Sequence, residues 1–333
     1  MPKSFLKDLK RKLSQNLSLS YEDFITSRTE RVLSDFKTAG PSASVLASPE
    51  RLAVKFDRLD FLEGIKHYLF NQPTLRLHEI IFEPKRMFLG ESNAESVIQP
   101  IAAFAKENGL SLRLAIPTVL RSWEEPDLRK WLRAFSKAGE NRYEVGNLGA
   151  LEILRSEGIK GDLSSDFTLY ALNSEASTHW SESGIRRVAL SVEDDLENIS
   201  SHLSRFPWPG ARPEVILYKD TPLFIAEACS LTALHNGCPG SKVCGYRSLE
   251  IENDEGEQFI VAHEKCKSVV YGKEAFSLSQ HRSSLASLGV RDFRVDFLTR
   301  PYTREEILGI LVSVDQGEKI PGTHSSNFER RLL

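Results

Sequence analysis

The sequence predicts an α/β protein with a (β/α) TIM-barrel-like fold that carries a cysteine-bearing β-hairpin insertion. Three observations predict this fold class. Short apolar or β-branched runs alternate with amphipathic helical patterns at a spacing of about 25 to 35 residues, which is typical of parallel βαβ units. The 333 residues, 41% of them apolar, accommodate one barrel of roughly 250 residues with additional segments. The alternation breaks once, where two strand-like runs flank a turn.

Residues 1–40 are predicted to form a lead-in of one or two helices. Leucines recur three or four positions apart from Leu6 to Leu17, which is the spacing of one helix face. Gly40 and Pro41 end this helical pattern. The other domain boundaries that we expect are 41–315 for the barrel-like domain, 225–272 for its cysteine-bearing insertion, and 316–333 for a C-terminal tail.

The barrel elements are predicted from the period of their apolar residues. The expected strands are 51–56, 77–82, 111–116, 142–145, 186–191, 214–218 and 290–297. The expected helices are 60–70, 95–108, 126–138, 149–156, 174–183 and 194–205, with a last strand-to-helix turn and helix in 298–314. Six or more strand-helix units with right-handed crossovers indicate a barrel.

A hairpin is predicted where the alternation stops. The strand-like runs 248–252 and 258–263 flank the turn cluster 253–256, which contains Asn, Asp and Gly. We expect this antiparallel insertion to bring Cys266 back toward the loop that holds Cys238 and Cys244.

The four cysteines are the strongest indication of a site. Cys229, Cys238, Cys244 and Cys266 lie within one short part of the chain, and glycine, proline and charged residues surround the inner pair. Four thiolates can hold an iron-sulfur cluster or a tetrahedral zinc ion. Incidental free cysteines are the third alternative. His235 and His263 lie nearby and are either additional ligands or hydrogen-bonded histidines.

Composition and motifs exclude several classes of protein. A net charge of -3 gives no overall attraction for nucleic acid. No apolar run is long enough to span a membrane and no secretory signal is evident, so we expect a cytoplasmic protein in which disulfides do not form. No Gly-x-Ser-x-Gly elbow, phosphate-binding glycine loop or complete zinc-protease helix motif occurs.

Polar residues collect where the predicted barrel strands end, which is the edge at which such barrels place their sites. Caps and structural ion pairs are the alternative explanation for each of them. The residues that we expect to position a substrate are Arg121, Glu124, Asn147, Asp166 and Arg294.

Several stretches resemble the C-terminal half of the long members of the collagenase-like peptidase family U32. The match covers roughly residues 45–331. Pro222 and Leu223, followed by Cys229, belong to it. The other matching stretches are IPTVLRSWE (116–124), VGNLGAL (145–151), DFTLYALNS (166–174), LSVE (190–193), LGVRDFRVDF (288–297) and THSSNFER (323–330).

The resemblance implies a barrel-like fold and a [4Fe-4S] cluster held by Cys229, Cys238, Cys244 and Cys266. It further implies oxygen-independent hydroxylation, or a related modification, of an RNA base or a quinone, often with a partner protein. A U32-type peptidase and a non-catalytic zinc-binding scaffold module are the alternatives. We expect the chain to be either a short relative or one half of a longer protein with an upstream domain.

Overall fold

The computed structural model describes residues 3–35, 41, 43–84, 93–208, 210–240, 248–264 and 266–330. The chain divides into two compact units, Met1–Gly40 and Pro41–Leu333. The described residues of the first unit, 3–35, form one helix, α1 (Lys3–Asp35), where the sequence predicted one or two. None of the helices in the described ranges is both long and apolar enough to cross a membrane.

Eight parallel strands close into a barrel in the second unit, which confirms the predicted fold class. Each strand pairs with the next along the chain, and the last strand closes the ring by pairing with both the first and the seventh. The barrel strands are β1 (Arg51–Phe56), β2 (Arg76–Phe82), β3 (Ser111–Ala115), β4 (Arg142–Val145), β5 (Asp162–Ser165), β6 (Ile185–Ala189), β7 (Arg212–Lys219) and β13 (Asp292–Phe297).

Helices alternate with these strands, as the 3.6-residue period of the apolar positions predicts. Side chains that cap helices come from residues just past the strands; for example, the side chain of Asn147 accepts a hydrogen bond from the backbone of Ala150. The helices of the second unit are α2 (Ala43–Ala47), α3 (Phe61–Phe70), α4 (Ala94–Glu107), α5 (Glu125–Lys137), α6 (Leu148–Ser156), α7 (Ser174–Glu182), α8 (Leu196–Ser204), α9 (Ser230–Leu234), α10 (Arg282–Ser287) and α11 (Arg304–Gln316).

A separate antiparallel sheet follows β7 and contains the predicted hairpin. Its strands, in spatial order, are β8 (Pro222–Ala226), β11 (Lys267–Gly272), β10 (Gln258–Glu264) and β9 (Ser248–Glu252). Strand β9 pairs with β10 across the predicted turn, so the hairpin is confirmed. Two short strands, β12 (Ala275–Ser277) and β14 (Thr323–His324), extend the barrel sheet beside β7.

The two faces of the barrel strands differ in chemistry. On β1, Leu52, Val54 and Phe56 belong to the large apolar core between the strands and the helices. Lys55 points to the other side, because successive strand residues face opposite ways. Its neighbours on the inner face are mostly charged and fully buried, so the barrel interior is filled largely by ion pairs. The charged residues buried in the barrel strands are Lys55, Glu79, Arg113, Glu144, Arg187, Glu214, Lys219, Asp292, Arg294 and Asp296.

Strand β5 was missed by the sequence analysis. Its residues are Asp162, Leu163, Ser164 and Ser165, which lack the apolar run typical of a buried strand. Ser164 and Ser165 are nevertheless fully buried, and the Oγ of Ser165 accepts a hydrogen bond from the backbone of Ala189 on β6. Small polar residues fit a barrel interior that is already crowded with long charged side chains.

Candidate active site at the barrel mouth

A cavity of about 80 Å³ lies at the carboxyl end of the barrel. One wall consists of residues at the ends of barrel strands, and the other consists of residues of the antiparallel sheet. Ligand sites of (β/α) barrels lie at this end of the strands. The charged and hydroxyl-bearing residues that line the cavity are Glu83, Thr118, Asp166, Thr168, Lys219, Asp220, Glu264, Lys267, Tyr271 and Thr299.

Lys55 forms the centre of the ion pairs below this cavity. Its Nζ lies 2.7 Å from a carboxylate oxygen of Glu83, 2.7 Å from Glu144 and 2.9 Å from Asp166. Burial by itself would lower the pKa of Lys55, but these three carboxylates outweigh it and hold the pKa well above the usual value. Lys55 is therefore a fixed cation that holds the ends of β2, β4 and β5 together.

Asp166 follows β5 and lies between two cations. Its carboxylate contacts Lys55 at 2.9 Å and Arg294 at 2.5 Å, and it also accepts a hydrogen bond from the backbone of Phe167 at 2.8 Å. Burial opposes the charged form, yet Lys55 and Arg294 hold the pKa of Asp166 well below its usual value. Asp166 is thus an ionised carboxylate at a fixed position in the cavity wall.

Arg294 lies deeper in the barrel than the cavity and is fully buried. Its guanidinium lies 2.7 Å from Glu144, 3.1 Å from Glu214 and 2.8 Å from Asp296, in addition to its contact with Asp166. A single side chain therefore joins β4, the end of β5, β7 and β13. Arg294 fixes Asp166 in place rather than lining the cavity itself.

Lys219 is the last residue of β7 and lines the cavity. Its Nζ lies 3.4 Å from the Oδ2 of Asp296 and 4.1 Å from the centre of the Phe167 ring. Burial lowers the pKa of Lys219 more than the nearby carboxylates of Asp296 and Asp166 raise it. The surroundings of Lys55 therefore raise its pKa, whereas those of Lys219, at the same end of the barrel, lower its pKa.

Three further predicted residues lie on the outer side of the mouth. Arg121 donates to Glu227 at 2.8 Å, and its backbone N–H donates to Glu124 at 2.8 Å. The side chain of Asn147 donates to the carbonyl of Pro117 at 2.9 Å. Glu124 and Asn147 thus stabilise loops and caps, while the side chain of Arg121 is only 11% exposed and places its guanidinium 5.4 Å from the ring of Trp123.

The antiparallel sheet places two of the cysteines at one end of its strands. Cys229 follows β8, and Cys266 lies in the turn between β10 and β11. Residues close to these two cysteines in the chain are hydrogen-bonded to each other, because the backbone N–H of Ser230 donates to the Oγ of Ser268 at 2.9 Å. Cys229 is partly buried, whereas Cys238 and Cys266 are exposed. Cys244 lies outside the described residues, and among those that are described no three His, Cys, Asp or Glu side chains are grouped closely enough to hold a metal ion.

The end of the sheet that carries Cys229 and Cys266 is directly connected to the barrel mouth. Lys267 follows Cys266, lines the cavity, and donates to the backbone carbonyl of Val119 at 3.2 Å. His263 is buried, and its Nε2 lies 2.6 Å from the Oγ of Ser230. His235, the second predicted histidine, is exposed.

The predicted site residues therefore divide into separate groups. Asp166 and Arg294 meet in the barrel, and Arg121, Glu124 and Asn147 lie around the outer rim. Sequence analysis missed Lys55, Glu83, Lys219 and Lys267. The sequence pattern does mark Lys55 and Lys219, because each is a charged residue in or at the end of an apolar strand run.

The fold and the site together define a (β/α)-barrel protein with a charged cavity at its mouth, covered by a cysteine-bearing sheet. The family model of peptidase family U32 matches residues 85–303, well over half of the chain. The chain belongs to peptidase family U32. A search of curated proteins finds no match.

A search of solved structures finds matches at low sequence identity. The U32 peptidase Mk0906 is 15% identical over 80% of this chain and 96% of its own, with a TM-score of 0.43. A putative fructose-1,6-bisphosphate aldolase from Coccidioides immitis is 9% identical over 83% of this chain and 91% of its own, with a TM-score of 0.45. Thiamine phosphate pyrophosphorylase from Pyrococcus furiosus is 7% identical over 80% of this chain and 96% of its own, with a TM-score of 0.41. Likenesses of this size bear on neither activity nor substrate, and the fold rests on the strand pairing described above.

Proposed function

We propose that this chain is an iron-sulfur enzyme that binds its substrate at the barrel mouth and takes part in oxygen-independent hydroxylation, or a related modification, of an RNA base or a quinone. One observation carries the proposal. The turn that bears Cys266 continues directly into Lys267, which lines the cavity. A centre held by the cysteines would therefore adjoin the place where a substrate binds.

Two of the three described cysteines lie at one end of the same strand pair, although with Cys238 they are not grouped closely enough to hold a metal ion in this structure. Cys229 and Cys266 lie at the same end of the β8–β11 pair, and Cys238 is exposed in the segment between them. We propose that Cys244 completes the set, since a [4Fe-4S] cluster uses four thiolates. A bound cluster would supply electron transfer or activation of an oxygen donor.

The residues of the barrel mouth would bind and orient the substrate. Asp166 offers a fixed carboxylate that can accept a hydrogen bond from a ring N–H or a hydroxyl group. Two aromatic side chains with large exposed fractions lie in the loops after barrel strands: Trp123, after β3, is 71% exposed and Tyr170, after β5, is 52% exposed. Such side chains stack on bases and other flat rings, which favours a planar aromatic substrate.

Anaerobic purification with analysis of iron, sulfide and zinc tests the proposal. We expect a brown protein that contains iron and sulfide and absorbs visible light. Cys229→Ala and Cys266→Ala should both lose the iron, whereas Glu255→Ala, an exposed residue of the same sheet, should keep it. A colourless protein with stoichiometric zinc would instead support the zinc-binding scaffold module and refute the cluster.

A specific contact favours peptide hydrolysis as the second candidate. Ser230 and His263 form a hydroxyl-imidazole pair at 2.6 Å, which is the arrangement of an activated nucleophile and its base. Purified protein should then cleave peptides, and both Ser230→Ala and His263→Gln should abolish cleavage. Ser268→Ala removes a neighbouring hydroxyl 3.3 Å from Ser230 and serves as the control. Cleavage that survives both of the first two changes would remove this candidate.

A further inference from the structure

We infer that Lys219 is a nucleophilic amine that forms an imine with the aldehyde or ketone group of a small ligand in the barrel-mouth cavity. The inference rests on the proposed use of this cavity for substrate binding, but it requires no metal. It assigns to the chain a carbonyl-binding chemistry that the iron-sulfur proposal does not contain.

The position of Lys219 is the first argument. The residue ends β7, its side chain is 5% exposed, and it lines the cavity. An amine that is buried from bulk water and yet borders an internal space can meet only a ligand that enters this space. The apolar residues that line the same cavity include Val119, Phe167, Pro222, Ile225, Val269 and Leu298. They favour a ligand with an apolar substituent beside its carbonyl group.

The weak ionic contact of Lys219 is the second argument. Lys55 has three carboxylates within 2.9 Å, whereas among the described residues Lys219 has one ion pair, to the Oδ2 of Asp296 at 3.4 Å. That oxygen is shared, because Arg294 donates to it at 3.2 Å. The rest of the environment of Lys219 includes the ring face of Phe167, which stabilises a cation less than a carboxylate does. The structure therefore holds Lys55 as an ammonium ion much more firmly than Lys219.

The charges around Lys219 support the same conclusion. Burial lowers its pKa, the carboxylates of Asp296 and Asp166 raise it, and Arg294 and Lys55 lower it again. Asp220, the next residue, is paired with Arg300 and Tyr302. The net effect is a lowered pKa, so a larger fraction of Lys219 is the neutral amine near neutral pH than for an ordinary lysine.

The reaction is a condensation without change of oxidation state. The lone pair of Nζ attacks the carbonyl carbon, and the oxygen takes up the proton that the nitrogen releases, which gives a carbinolamine. Loss of the second N–H proton and of the hydroxyl group as water then forms the C=N bond. One amine and one carbonyl group give one imine and one water molecule, and no oxidant or reductant takes part.

Reductive trapping on the full-length protein tests the inference. Acetaldehyde with sodium cyanoborohydride converts an imine to an ethylated lysine, which peptide mass spectrometry locates. At pH 7 we expect Lys219 to be ethylated at least ten times faster than Lys160, an exposed lysine on the barrel surface. Lys267→Met removes a second lysine from the described part of the cavity wall, and we expect the adduct at Lys219 to form in this variant too.

Two further measurements make the test decisive. Lys219→Arg keeps a cation at the position and should yield no adduct, while circular dichroism reports whether that variant folds. Labelling of Lys219 no faster than that of Lys160 in the wild-type protein would overturn the inference, whatever the variant does. Anaerobically purified protein that contains no iron but forms the Lys219 adduct would refute the cluster proposal alone. Iron-containing protein that forms no such adduct would refute this inference alone, so the failures of the two proposals are distinguishable.

Discussion

At the residue scale, His202 shows how burial alone lowers the pKa of a side chain. The imidazole lies on α8 and its Nε2 is 2.8 Å from the Oγ of Ser177 on α7, with both side chains buried. Burial lowers the pKa of His202 to about 4. The folded protein therefore keeps this histidine neutral at a pH where the unfolded chain protonates it.

We expect His202 to make the protein acid-sensitive. A group with a lowered folded pKa contributes stability above its unfolded pKa of about 6.5 and loses it as the pH falls toward 4, by up to about 3 kcal/mol. His202→Gln should remove this loss. Denaturant unfolding of both proteins at several values between pH 7.5 and pH 4 measures the difference. Ser177→Ala keeps the buried ring and should retain the slope; an unchanged slope in His202→Gln would contradict the assignment.

At the element scale, the packing of α3 against α11 depends on one glycine. A Cβ at Gly64 would lie 2.8 Å from the Cγ2 of Ile307 and 3.3 Å from the carbonyl oxygen of Arg304. The helices approach each other closely here because Gly64 has no side chain. Gly309 lies in the interior of α11, and a Cβ at this position would meet nothing within 4 Å.

These two glycines give a matched pair of substitutions. Gly64→Ala should lower the free energy of unfolding by about 1–3 kcal/mol, since backbone and a branched side chain must move. Gly309→Ala should raise it by about 0.5–1 kcal/mol, because alanine favours the helix and fits open space. Thermal or denaturant unfolding measures both. A loss of stability in both variants would show that close packing of α3 against α11 is not what makes Gly64→Ala destabilising.

The elements were largely predictable from the sequence, and the reason is their apolar period. Strands such as Arg142–Val145 and helices such as Glu125–Lys137 bury apolar side chains against the core, so their apolar periodicity allows them to be predicted. Strand β5 contains mostly polar residues and carries no such mark. Asp166 lines the cavity at the barrel mouth, although the strand that precedes it was not predicted.

The buried charges could not be predicted in the same way. Arg294 alternates with Asp292 and Asp296 along β13, a pattern that also occurs on the exposed face of an ordinary strand, and the lone charge of Lys55 does not reveal its partners. The true environment of each depends on partners far along the chain, such as Glu144, which is 150 positions from Arg294. Only closure of the barrel brings these residues together. The convergence of the cysteines has the same dependence, and with Cys244 outside the described residues it stays a prediction.

At the scale of the whole molecule, the barrel is held together across its interior by alternating charges. Arg187 contacts Glu79 and lies 3.0 Å from Glu214, which in turn lies 3.1 Å from Arg294. The chain of contacts therefore crosses from β2 to β6, β7 and β13. A buried pair is costly to form, but breaking it is costlier, because the remaining charge has left water without compensation.

Arg294 is the residue whose removal should disturb the whole barrel most clearly. Arg294→Met leaves Glu144, Asp166, Glu214 and Asp296 with less positive charge, and we expect a loss of at least about 3–5 kcal/mol in the free energy of unfolding. That loss is a large share of the stability of a typical domain. Denaturant unfolding at pH 7 measures it, with Arg294→Lys as the control that keeps the charge and should lose less.

The pH dependence identifies the cause of this loss. Arg294 helps to hold the pKa of Asp166 well below its usual value, so the wild-type protein has this stabilisation above about pH 4 and loses it as the pH falls further. Arg294→Met lacks part of it at every pH. Arg294 also lowers the pKa of Glu144, which burial raises to about 7. The variant therefore protonates this carboxyl at a higher pH than the wild-type protein does, and the difference in stability should shrink as the pH falls through about 7. A difference that stays constant with pH would mean that lost packing, rather than unbalanced charge, destabilises the variant.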